Sequence, residues 1–255
     1  MAFEVPTIKY DPARLVVVSS PKVGSTTLIG TFLSAAGFVD TISNPRVFLR
    51  SNDNEAKARA AGLTIEERDT DEVVQMRQDL QDYEFVLVFR DPVQRLTSAY
   101  RNKTNRYCKR FLKSAYYYGK LRQFMKGPPE WSDINCGNSY MRRFISLEKF
   151  VAGLEEHGVE WDNHYAQQTG LAAVDKITYD HVVRLEDLDT SLPGILAGRG
   201  LSEEALARVS STQRFNSTSG GGSSKSAIPE ELNARIKALY QDDVSYFDAL
   251  DSGAP

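Results

Sequence analysis

Sulfur chemistry is nearly absent from this sequence: Cys108 and Cys136 are the only cysteines among 255 residues. Two thiols cannot build a disulfide framework, and without an export signal they are expected to stay unpaired. The three histidines share no metal-ligand spacing with them, so no metal is expected. Long apolar runs are also missing. Leu15–Val18 and Phe85–Phe89 are strand-sized, far below the roughly 18 residues of a membrane span. The start, MAFEVPTIKYDPARL, lacks the basic and then apolar pattern of a signal peptide, so a cytoplasmic location is expected. There is no internal repeat and no standard nucleic-acid reader motif. With a net charge of −3, nucleic acid is not an expected partner.

What remains is an ordinary globular composition, long enough for one domain spanning residues 1–255. Arg14–Ser19 (RLVVVS) reads as a buried strand, Ser20–Gly24 as a turn, and Ser25–Ala36 as a helix closed by Gly37. A strand near Phe38–Ile42 and helices over Asn52–Ala61 and Asp71–Leu80 follow. Phe85–Phe89 (FVLVF) is a second buried strand, and Pro92 opens the next helix. Further on come a helix over Phe144–His157, a strand over Lys176–Leu185, and helices at Leu192–Ala197, Glu203–Val209 and Pro229–Tyr240. Strands alternating with helices predict an α/β fold: a P-loop-like parallel β-sheet flanked by helices.

Charge is unevenly spread. Residues 101–143 hold eleven Lys/Arg against Glu130 and Asp133, interleaved with aromatics such as Tyr107, Tyr117 and Trp131. The rest of the chain is therefore strongly acidic. This basic aromatic helical insertion predicts an anion-facing surface, as against a merely solvated helix face. The Gly/Ser-rich stretch within residues 216–228 reads either as a linker or as a loop closing over a ligand.

Two constellations carry chemistry. The first is Pro21-Lys22-Val23-Gly24-Ser25-Thr26-Thr27, between a strand and a helix. The N–H groups of a helix start have no intrahelical partner, and the helix dipole favours an anion there. Gly24 permits close approach, Ser25, Thr26 and Thr27 add donors, and Lys22 adds charge. This is not a Walker A loop, where the lysine follows the last glycine. The second is RDPVQRLTSAY, residues 90–100, directly after a strand. Arg90 should emerge at the strand's carboxyl end, where open α/β sheets bind ligands. Ser98 lies about two helical turns further and can face the same anion. Arg95 is expected in a structural salt bridge.

Together these segments resemble the two signatures by which sulfotransferases bind 3′-phosphoadenosine-5′-phosphosulfate (PAPS). The wording is most similar to the carbohydrate group that acts on chondroitin and dermatan. Trp161–Gln168 (WDNHYAQQ), YDHVVRLEDL (residues 179–188) and ALYQDDVSYFDAL (residues 238–250) extend the likeness over most of the chain. The resemblance implies that Lys22, Gly24, Ser25, Thr26 and Thr27 hold the 5′-phosphosulfate, with Lys22 also catalytic. It implies that Arg90 and Ser98 hold the 3′-phosphate, that PAP is the product, and that no metal is needed. The acceptor would be a hydroxylated molecule, an anionic glycan among the candidates, met by residues 101–143.

The relatives place a histidine base upstream of the Arg-Asp-Pro arginine. The matching stretch, Thr64–Asp69, has none, and Glu66 stands at that place. His164 is the rival, with a suitable unperturbed pKa. Two other readings compete with sulfonyl transfer to a hydroxyl: a non-catalytic nucleotide or polyanion binder, and a divergent P-loop kinase.

Overall fold

A computed structural model describes residues 3–38, 44–111, 146–160, 162–211 and 228–250, with side chains in the long helix described through Arg101. The strands are β1 (Glu4–Tyr10), β2 (Leu15–Ser19), β3 (Leu63–Asp69), β4 (Glu84–Phe89) and β5 (His181–Arg184). The helices before β4 are α1 (Ser25–Ala35), α2 (Pro45–Phe48), α3 (Asn52–Ala60) and α4 (Thr70–Asp79). After it come α5 (Pro92–Phe111), α6 (Leu147–His157), α7 (Gln168–Leu171), α8 (Leu188–Gly198), α9 (Glu203–Ser210), α10 (Glu230–Leu239) and α11 (Gln241–Ala249).

The sheet is mixed, in the order β3-β1-β2-β4-β5, which corrects the all-parallel expectation. β2, β4 and β5 are parallel, while β1 pairs antiparallel with both β2 and β3. The cause is connection length. Only a short 3-10 turn, Asp11–Ala13, and the left-handed Arg14 separate β1 from β2. A parallel pair needs a crossover of a dozen or more residues. The strand expected over Lys176–Leu185 is shortened to His181–Arg184. Asp180 stops it, its carboxylate accepting from the Phe85 N–H at 2.7 Å while its own N–H donates to the Phe85 carbonyl.

β2 and β4 are buried on both faces, so their β-branched and aromatic runs read as continuous apolar strings. Val17, Val86 and Val88 pack on one face under Leu28 and Phe32 of α1 and Leu192 and Leu196 of α8. Val16, Val18 and Phe85 pack on the other face with Val73 of α4, Leu171 and Ile177. Each such side chain removed from water contributes about 1.5–3 kcal/mol. A third cluster joins Leu96 of α5, Phe150 and Leu154 of α6, Tyr165, and Ile236 and Tyr240 at α10.

Most of the basic segment 101–143, Trp161, Cys136, the side chain of Cys108, most of the strand expected at 38–42, and residues 216–227 of the Gly/Ser-rich loop lie outside the described residues. Among those described, no helix is long and apolar enough to cross a membrane, and no three His, Cys, Asp or Glu side chains gather as a metal-holding group.

Candidate functional site

β2 and β4 are neighbours and parallel, Ser19 lying beside Val88, so the segments that follow them leave the same edge of the sheet. After β2 the chain turns sharply, with the Val23 N–H reaching back to the Ser20 carbonyl. Lys22 takes φ 75°, a left-handed conformation costing a non-glycine residue about 1–2 kcal/mol. Gly24 follows at φ 83° as the N-cap of α1. A side chain there would be strained by that φ and would also have to displace Leu185, whose Cδ1 lies 2.6 Å from where a Cβ would stand. With glycine at the N-cap, no cap side chain takes the first-turn N–H groups. Ser25 and Thr27 are buried at the helix start and Thr26 is half-buried. Ser19 Oγ donates to Ser25 Oγ at 3.4 Å, fastening the helix start to the strand end.

Arg90 emerges one residue after β4 and turns toward this loop. Its Nη1 donates to the Lys22 carbonyl at 3.0 Å, joining the two constellations directly. Burial lowers the Arg90 pKa, against the opposing pull of Glu186 and Asp91. Asp91 caps the start of α5 by accepting from the Gln94 N–H at 2.7 Å. Ser98 is half-buried on α5.

Arg95 departs from the salt bridge expected of it. Its side chain is fully buried, and the guanidinium spends its donors on three main-chain carbonyls: Pro21 at 3.0 Å, Ala166 at 2.8 Å and Asn163 at 3.1 Å. One planar fork thus ties the loop before Lys22 to the segment around His164. His164 is held by Asp162, which accepts from the backbone N–H at 2.8 Å and from ring Nδ1 at 2.7 Å. A carboxylate can only accept, so Nδ1 carries a proton and Nε2 is the basic nitrogen.

Glu66 sits on β3, an edge strand two strands from β2, in register with Thr7 and through it with Val18. Its carboxylate ion-pairs with Arg59 and Arg68. Arg95, by contrast, draws His164's neighbour Asn163 and Lys22's neighbour Pro21 onto one side chain.

Two residues of the assembly were not legible from the motifs. Gln168 is fully buried and grips the Arg90 backbone, accepting from its N–H at 3.2 Å and donating to its carbonyl at 2.8 Å. Asp243, also fully buried, accepts from the Gln168 N–H at 2.8 Å and the Thr169 N–H at 2.9 Å. Thr169 Oγ1 adds a third bond at 2.9 Å. Burial raises the Asp243 pKa, opposed by these N–H bonds. The signal was there for Asp243: it falls between Tyr240 and Phe247 at helical spacing, an acid on the inward face of α11.

A model of the sulfotransferase family matches residues 9–248. No curated protein matches the chain, and no solved structure does.

Proposed function

The chain belongs to the sulfotransferase family and is a sulfonyl-transferring enzyme, and from that premise we propose that it takes the group from PAPS and delivers it to a hydroxyl. The observation that carries this reading is the bond from Arg90 Nη1 to the Lys22 carbonyl. It joins the two segments at the carboxyl edge of adjacent parallel strands, which supports reading Arg90 as the 3′-phosphate arginine and Lys22 as the 5′-phosphosulfate lysine. The fit is supported by Gly24, whose left-handed φ of 83° turns the chain into α1, and by a helix start with no cap side chain. In this sense the loop works as a P-loop-like anion cradle.

When bound, PAPS supplies an activated sulfonyl group with PAP as its leaving group. Lys22 and the first-turn N–H groups of Ser25, Thr26 and Thr27 would neutralise charge on the 5′ side, and Arg90 and Ser98 would hold the 3′-phosphate. Most of the rate comes from such fixed charges and from positioning. The proton leaving the acceptor hydroxyl goes to His164 Nε2, with Asp162 stabilising the imidazolium that results. Glu66 is the poorer candidate because both of its carboxylate oxygens are already engaged by arginines, Oε1 by Arg59 and Oε2 by Arg68. The acceptor falls to the basic aromatic segment 101–143, whose composition suits a hydroxylated anion such as a charged glycan.

Titration calorimetry tests the donor site. PAP should bind tightly and ATP weakly, without added metal. Arg90→Ala should weaken PAP by about 1.5–3 kcal/mol, the worth of a hydrogen bond to a charged group. No PAP binding by folded protein would overturn the donor assignment.

The base is tested separately. His164→Ala is expected to lower turnover about 10²–10⁴-fold, the usual contribution of a general base, with PAP affinity retained. Glu66→Gln should keep both. The reverse pattern in steady-state assays would transfer the role to Glu66.

A further inference from the structure

We propose that Gln168 and Asp243 are positioning residues that set the Arg90 backbone for its contact with the nucleotide 3′-phosphate. This rests on the donor reading given above.

Arg90 lies just past β4, whose final pair with β5 is Phe89 with Arg184. At Arg90 the ladder has ended and α5 has not begun, so its N–H and carbonyl need partners from elsewhere. The Gln168 side chain supplies both, one acceptor and one donor, in the manner of an added strand residue. A side-chain amide can do this. A carboxylate lacks the donor, and an apolar chain lacks both.

Gln168 is fixed in turn through its own main chain. Asp243 receives the N–H groups of Gln168 and Thr169 and the Thr169 hydroxyl. Asp243 Oδ2 also stands 3.5 Å from Gln168 Nε2. The buried Arg95 guanidinium favours the ionised carboxylate through charge. A helix from the far end of the chain thereby reaches the strand-to-helix corner bearing Arg90. Buried amides and carboxylates are costly, and apolar residues of equal size would often stabilise such a core as well or better. What apolar residues cannot do is orient the N–H and carbonyl of a residue outside the ladder.

The consequence is specific to the 3′-phosphate. The test compares adenosine 3′,5′-bisphosphate (PAP) with adenosine 5′-monophosphate, which lacks only that group. Gln168→Met, near-isosteric and uncharged, should weaken PAP about tenfold, roughly 1.4 kcal/mol, and leave the monophosphate unchanged. In an Arg90→Ala background the same substitution should add nothing, because the two residues act in series. If Gln168→Met does not fold, as judged by circular dichroism and thermal melting, Asp243→Asn is carried through the same comparison with the same expectation.

Wild-type affinity for PAP in the folded variant would overturn the proposal. So would equal loss for both nucleotides, or a full additional loss in the Arg90→Ala background. Wild-type protein that fails to bind PAP would instead overturn the donor reading itself.

Discussion

Lys22→Ala is expected to lower turnover by about 10²–10³-fold, the range for removing one preorganised electrostatic contact from a transition state. Alanine is the informative replacement. Lys22 sits at φ 75°, and its carbonyl takes the Arg90 hydrogen bond. Alanine keeps a Cβ and so a similar cost in the left-handed region, and it leaves the carbonyl in place. The ammonium is what goes. Stability should therefore change little, and PAP, which lacks the transferred group, should lose less affinity than the reaction loses rate. Lys22→Arg should recover only part of the rate, because a planar fork does not occupy the place of a point charge. Single-turnover measurements with saturating PAPS decide the matter. Near-normal rates in Lys22→Ala would remove this residue from the mechanism.

Arg95→Met should be the most destabilising single change at the site, by about 3–5 kcal/mol. The side chain is fully buried, and three carbonyls from two distant segments depend on it. Methionine fills much of the volume and supplies no donor, so the buried Ala166 carbonyl and the part-buried carbonyls of Pro21 and Asn163 would lose that partner. The charge also has company: Asp243, Glu160 and Asp162 all act on Arg95 electrostatically, and removing it leaves the buried Asp243 less well compensated. Arg95→Lys should rescue only partly, since one ammonium cannot present a fork to three carbonyls. Urea denaturation reads the effect as a fall in midpoint at an unchanged slope. A loss below about 1 kcal/mol would mean that water reaches those carbonyls in the variant.

The nucleotide-facing half of the molecule was legible because its signals are local. An apolar run, a glycine turn and hydroxyls define β2, the loop and α1 within 21 residues, and FVLVF-RDP does the same for β4 and α5. β1 was invisible for a physical reason: Pro6 speaks against a strand interior. It is tolerated because the β1–β2 ladder begins only at Thr7, so Pro6 has a ladder partner in β3 alone. β3, LTIEERD, hides its alternation under the charges suited to an edge strand. Without those two strands, the reversed direction of β1 could not be foreseen.

At the site, Lys22, Gly24 and Arg90 were named from the sequence and are brought together. Arg95 was expected to meet a carboxylate and instead bonds carbonyls, since what surrounds a buried guanidinium depends on segments 68 to 74 residues away. Gln168 and Asp243 are joined across 75 positions. No local pattern encodes such a partnership.

Those sequence separations also order events in time. During synthesis the β2 loop leaves the ribosome before Arg90 and Arg95. The Asn163 and Ala166 carbonyls and Gln168 arrive much later, and Asp243 later still. Closing loops of this length costs entropy before any contact returns it. The emerging chain can thus gather its central strands while the nucleotide corner stays incomplete. The capacity to hold the donor should arrive abruptly, with the docking of α11, rather than growing as the protein is made.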